Sequence, residues 1–96
     1  MITPTEIENR LVELKPMLYR DFFVRKIGYF GSFARNEQTE ESDIDILVEF
    51  EKPLGWEFFD LQDLLEKELH RKVDLVSTKA VKKQLKDIIF SQVKYV

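Results

Sequence analysis

Ile27-Gly28-Tyr29-Phe30-Gly31-Ser32, then ten residues, then Asp43-Ile44-Asp45-Ile46-Leu47-Val48-Glu49-Phe50 is the stretch that decides how this chain folds. Residues 24–30 are a β-rich run that ends in Gly31, and the pattern predicts a short helix over 32–36 and a polar loop over 37–42. In the second segment Ile44, Ile46, Val48 and Phe50 alternate onto one strand face, leaving Asp43, Asp45 and Leu47 on the other. A glycine between strand and helix lets the backbone approach a ligand with no Cβ in the way. The N–H groups of the helix start, with the Ser32 hydroxyl, make an anion site. Taken alone, Gly31-Ser32 is better explained as an ordinary turn with Ser32 as a helix N-cap.

The two aspartates change that balance. Positions i and i+2 of a strand point the same way, with Cβ atoms roughly 6–7 Å apart. Two bare carboxylates so placed repel each other, and a divalent cation removes the repulsion. Oxygen-only ligands favour magnesium, with manganese as the alternative. Among 18 acidic residues, an Asp-x-Asp by itself could equally be two exposed acids at a strand edge. Asp74 is the third candidate. It sits within Val73-Asp74-Leu75-Val76, where an unpaired carboxylate is costly to bury. Beside the 43–50 strand it completes a three-carboxylate cluster; elsewhere it would be an edge-strand acid paired with Lys72 or an arginine. An anion cradle plus three carboxylates are the parts of a two-metal phosphoryl-transfer site, in which ions roughly 3.5–4 Å apart activate the attacking oxygen and stabilise the leaving one. The chain reads as a small enzyme that handles a nucleoside triphosphate.

Around this centre the pattern predicts the order α-β-α-β-α-β-α. The fold class is α/β (α+β), a small mixed sheet covered by helices mainly on one side. Thr3 with Glu6, or Thr5 with Glu8, caps a first helix whose stripe is Ile7, Leu11, Leu14 and Leu18, with a kink or break expected near Lys15 from Pro16. A second long helix spans 56–69, with Phe58, Leu61, Leu65 and Leu69 inward. A strand follows over 72–76. A last helix over 80–92 buries Val81, Leu85, Ile88 and Ile89, and residues 93–96 return as a short strand. Trp56, Phe58 and Phe59 are expected in the core, His70 at a surface helix end, and Lys79, Lys82, Lys83 and Lys86 together on a solvated helix face.

Length and composition bound the rest. The 96 residues are expected to form one domain, 1–96, and their 44% apolar content is enough for a core without staples. With no cysteine, disulfides are excluded and a reducing cytoplasm is the expected setting. No signal peptide is apparent in residues 1–10 and no apolar run is long enough for a bilayer, so no membrane association is expected. The net charge of −3 argues against direct nucleic-acid binding through a basic surface, but not against one nucleotide whose charge metal ions offset.

The segments 27–35 and 42–48, with their unbroken Gly-Ser-x10-Asp-x-Asp spacing, and Lys72-Val73-Asp74-Leu75-Val76 resemble the minimal nucleotidyltransferases of the DNA polymerase β superfamily. The ending Val93-Lys94-Tyr95-Val96 is similar to theirs as well. The likeness covers nearly the whole chain. One departure is Asn36, where the family often has glycine; asparagine tolerates the left-handed conformation. The resemblance implies an MNT antitoxin of a type VII HEPN/MNT toxin–antitoxin system. Such a protein transfers AMP from ATP to a tyrosine of its partner, a HEPN-domain ribonuclease toxin. By the same likeness Asp43, Asp45 and Asp74 are the catalytic, metal-binding residues for two Mg²⁺ ions. Gly31 and Ser32 hold the triphosphate. Arg35, one helical turn beyond Ser32, is within reach of a phosphate, although pairing with a carboxylate is the stronger expectation for it. The alternatives are an antitoxin that acts by contact alone and a small-molecule nucleotidyltransferase. The lack of a second domain to hold a drug-like acceptor weighs against the latter.

Overall fold

The computed structural model describes residues 2–96. Helix α1 (Pro4–Phe22) starts at Thr3, whose hydroxyl accepts from the Glu6 N–H at 3.2 Å, and Pro4 occupies the first helical turn, where its missing N–H costs nothing. The helix runs on through Pro16 without the expected break. Pro16 and Val12 both lie on the solvent side, so the Val12 carbonyl that loses its partner can be hydrated.

Strand β1 (Val24–Phe30) leads to β2 (Ile44–Phe50), then α2 (Glu57–Leu69), β3 (Val73–Ser77), two single 3₁₀ turns, α3 (Lys86–Gln92) and β4 (Lys94–Tyr95). The strands form one mixed sheet in the order β3-β2-β1-β4, with β2 and β3 parallel and both other pairs antiparallel. The fold class and the returning last strand are as expected from the sequence. Gly28 makes room for that strand: a Cβ there would stand 2.6 Å from the Lys94 carbonyl oxygen.

The core lies between one sheet face and the two long helices. Ile27, Tyr29, Ile44, Ile46, Val48, Val73 and Leu75 meet Ile7, Leu11 and Leu18 of α1 and Leu61, Leu65 and Leu69 of α2. The alternation in β2 thus has one cause: its even-numbered residues face this core, and Asp45 and Leu47 face the opposite side. Leu47 is also buried, as is Val81, but both lie outside the main core cluster.

Three expectations fail here. Residues 32–36 form hydrogen-bonded turns rather than a helix, because Glu37 at the fifth step already bonds back to Ser32 and no run of such bonds follows. Of the last predicted helix only Lys86–Gln92 is α-helical. Of its expected stripe Val81 is buried, but Leu85 and Ile88 are 43% and 54% exposed, and Lys79, Lys82, Lys83 and Lys86, spread over the two 3₁₀ turns and α3, do not share one helix face. Trp56 and Phe59 are 84% and 57% exposed and stack on each other at 5.9 Å instead of entering the core. Leu61, Leu65 and Leu69 already fill the inward stripe of α2, leaving no room on it for either ring.

Candidate active site

Gly31 has φ +73°, the left-handed region that glycine enters without cost. A Cβ at this position would lie 2.0 Å from Asp45 Oδ2. Conformation and close approach together demand glycine. The turn that follows brings the Ala34 and Arg35 N–H groups back to the Gly31 carbonyl at 3.1 Å each, and the Glu37 N–H to that of Ser32 at 2.9 Å. The N–H groups of Ser32 and Phe33 find no acceptor among the described residues. A backbone of this kind retains two donors and a hydroxyl for an anion even though no helix forms. Asn36, the departure from the family pattern, takes φ +58°, so the left-handed position survives with asparagine in it.

Asp45 lies partly buried in β2, directly opposite Phe30 on β1 and Asp74 on β3. Asp43 is exposed and stands one residue before the strand. Both line an open cleft of about 380 Å³ together with Gly31, Ser32, Arg35 and Ser42. Asp74 neighbours Asp45 in the ladder but is exposed at the margin and does not line this cleft. The expected burial of Asp74 among Val73, Leu75 and Val76 is therefore corrected: successive strand residues face opposite ways, and Asp74 faces away from the core that holds Val73 and Leu75.

Burial first, then the negative charges of Asp74 and Asp43, push the Asp45 carboxyl up to about 6 against the pull of Arg35. The ordinary value is 3.8, so the folded protein holds this proton more tightly than the unfolded chain does. The associated stability is present below about pH 4 and is lost as pH rises through about 6. Asp45→Asn should therefore raise the melting temperature of metal-free protein at pH 7 and leave it unchanged at pH 4. Discounted for solvent access, the gain is on the order of 1 kcal/mol, about 4–8 °C for a domain this small. Equal melting temperatures at pH 7 would show that Asp45 is not under electrostatic stress.

That stress is what a cation would relieve, and an all-oxygen donor set suits a hard divalent ion. The side chains are not gathered as they stand: among the described residues no three acidic, histidine or cysteine side chains are close enough to hold an ion. The fit is thus in chemistry and charge, and an ion would have to draw the carboxylates together.

Arg35 follows the stronger of its two expectations. Its Nε donates to Glu37 at 2.8 Å and its Nη1 to Gln92 of α3 at 3.1 Å, at the wall of the cleft. Leu85, Ile88, Ile89 and Gln92 complete that wall. Sequence reasoning assigned Leu85, Ile88 and Ile89 to the core, because period alone cannot tell a stripe facing a core from one facing a cleft. Arg71 is a further residue it passed over. A more closed, apolar cavity of about 220 Å³ lies at the far ends of β2 and β3, lined by Phe50, Phe58 and Ser77 among others, and holds none of the site carboxylates.

A turn with free N–H groups at the end of β1, beside Asp43 and Asp45 and with Asp74 across the β2–β3 ladder, points to a class, the nucleotidyl-transferring enzymes. The family model for the nucleotidyltransferase domain matches residues 5–96, and the chain belongs to that family. It is 52% identical over 83 residues to a protein of Methanocaldococcus jannaschii provisionally named a protein adenylyltransferase, with 85% of each chain covered. Over 97 residues it is 42% identical to the protein adenylyltransferase MntA of Thermococcus cleftensis, covering 100% of this chain and 98% of that one. A solved structure described as a toxin–antitoxin with AMP-PNP contains a chain that superposes with a TM-score of 0.74 at 30% identity, over 92% of this chain and 70% of its own. The chain is a nucleotidyltransferase with the minimal nucleotidyltransferase fold. No helix of the described residues is long and apolar enough to cross a membrane.

Proposed function

We propose that this protein is the antitoxin of a HEPN/MNT pair and that it transfers AMP from ATP to a tyrosine hydroxyl of its HEPN toxin partner. The observation that carries the reading is the meeting of Gly31 and Ser32, from a turn that leaves the Ser32 and Phe33 N–H groups without an acceptor, with Asp43 and Asp45 in one cleft, Asp74 adjoining. The relatives named as protein adenylyltransferases and the likeness to a toxin–antitoxin chain support it.

In this reading Gly31 and Ser32 bind the triphosphate, the backbone coming close because no Cβ intervenes. Asp43, Asp45 and Asp74 would hold two Mg²⁺ ions, which when bound offset phosphate charge and favour the ionised acceptor oxygen. Asp74 at the open margin takes the proton of the tyrosine hydroxyl. The tyrosine oxygen forms a bond to the α-phosphorus, the bond from that phosphorus to the β-phosphate bridging oxygen breaks, and pyrophosphate leaves. The apolar wall of Leu85, Ile88 and Ile89 offers a non-polar side to the cleft, suited to excluding water around the reacting groups.

Labelled ATP, magnesium and the protein encoded beside this one should together yield a labelled partner, and EDTA should abolish the label. No label on any partner tyrosine, with the partner still silenced, would favour inhibition by contact. The exposed Leu85, Ile88 and Phe90 of the α3 region are the observation that keeps this second reading in play.

A further inference from the structure

Arg71 lies in the short link between α2 and β3, three residues before Asp74. Its Nε donates to the Ser42 carbonyl at 2.5 Å, and one Nη donates to the carbonyls of Thr39, at 2.8 Å, and Glu40. These three acceptors belong to the loop that ends immediately before Asp43. The loop closes on itself through Thr39 N–H to Ser42 Oγ at 2.9 Å and Ser42 N–H to the Thr39 carbonyl at 3.1 Å. The guanidinium also sits over the ring of Phe33, 5.7 Å from its centre. Phe33 is buried and directly follows Ser32 in the anion-binding turn. On the β3 side the Lys72 carbonyl accepts from the Ile44 N–H at 2.9 Å, one residue beyond Asp43. Arg71 has no carboxylate partner among the described residues; the loop carbonyls take its hydrogen bonds instead.

We infer that Arg71 is a positioning residue that holds the Asp43 loop, the Ser32–Phe33 turn and the start of the Asp74 strand in one register before nucleotide arrives. Its hydrogen bonds go to none of Asp43, Asp45 and Asp74; it acts through the backbone on which those groups are mounted. The geometry suits arginine alone. A planar fork with several N–H donors reaches three carbonyls and stacks on a ring at once, whereas an ammonium is a compact charge that does neither well. A loop so rich in acids (Glu37, Glu40, Glu41 and Asp43) would otherwise tend to splay by self-repulsion. This inference rests on the reading of Asp43 and Ser32 as parts of the nucleotide site.

The test uses the full chain and the variants Arg71→Ala and Arg71→Lys. In metal-free protein, amide hydrogen exchange over residues 32–36 and 39–43 should quicken in both variants, with core amides such as those of Leu11 and Leu65 unchanged. Calorimetric affinity for ATP with magnesium should fall about 10–100-fold in Arg71→Ala, the usual cost of losing a group that orients ligands, with Arg71→Lys between it and wild type. Uniformly faster exchange throughout the core, or unchanged exchange in the two segments, would overturn the inference and leave Arg71 a general stabiliser. Should Arg71→Ala fail to fold, Arg71→Lys, which keeps charge and stem, decides by the same two readouts. Wild-type protein that does not bind ATP would count against the nucleotide reading, and the exchange pattern then judges the clamp by itself.

Discussion

Asp43→Ala/Asp45→Ala protein should fold and should transfer no measurable AMP to its partner. Loss of one electrostatic stabiliser typically costs ~10²–10³ in rate, and here two go together. Folding should survive because neither side chain is in the core cluster, and because removing the Asp45 carboxylate relieves a site whose proton is already held up to about 6. The measurements are intact mass of the partner after incubation with ATP and magnesium, melting temperature, and protection of cells that express the partner. Full protection by a variant that adds no mass would establish inhibition by contact and remove the enzymatic account of the antitoxin role. Mass addition at the wild-type rate would remove the two aspartates from the site altogether.

Asp74→Asn should slow single-turnover AMP transfer by ~10²–10⁴-fold, the usual range for loss of a general base. Its exposed place beside Asp45 makes the substitution mild for the fold, so the melting temperature should stay close to wild type. ATP affinity should largely persist, because Gly31, Ser32, Asp43 and Asp45 line the cleft and Asp74 does not. A split of this kind, slow chemistry with binding kept, separates a group that acts on the acceptor from one that holds the nucleotide. Transfer at the normal rate would reduce Asp74 to a surface acid. The same experiment with a partner lacking tyrosine at the modified position asks whether the acceptor is the hydroxyl assumed here.

Much of the architecture was legible in the residues themselves. The alternation Ile44, Ile46, Val48 placed β2 and oriented Asp45 away from the core, since a side-chain period of two admits no other arrangement once one face is buried. The stripes Ile7-Leu11-Leu14-Leu18 and Phe58-Leu61-Leu65-Leu69 gave both long helices, and every one of those residues is buried except the half-buried Phe58. Gly31 was legible too, because a strand-ending glycine next to Asp-x-Asp spacing has few uses. These are local or periodic signals, carried by neighbours in the chain.

What the tertiary structure alone decided are the matters that depend on which elements meet. The sequence placed Asp74 on a strand, but only the parallel β2–β3 register set it beside Asp45, and only the sheet's open face exposed it. Leu85, Ile88 and Ile89 carry the period of a buried stripe; they border the cleft because the long helices already cover the other face of the sheet. Arg71 has no signal in its neighbours, since its partners Ser42, Thr39, Glu40 and Phe33 lie some 30 to 40 residues earlier in the chain. Periodicity reports which face of an element is apolar; the identity of what packs against that face is set by chain topology, which no local pattern contains.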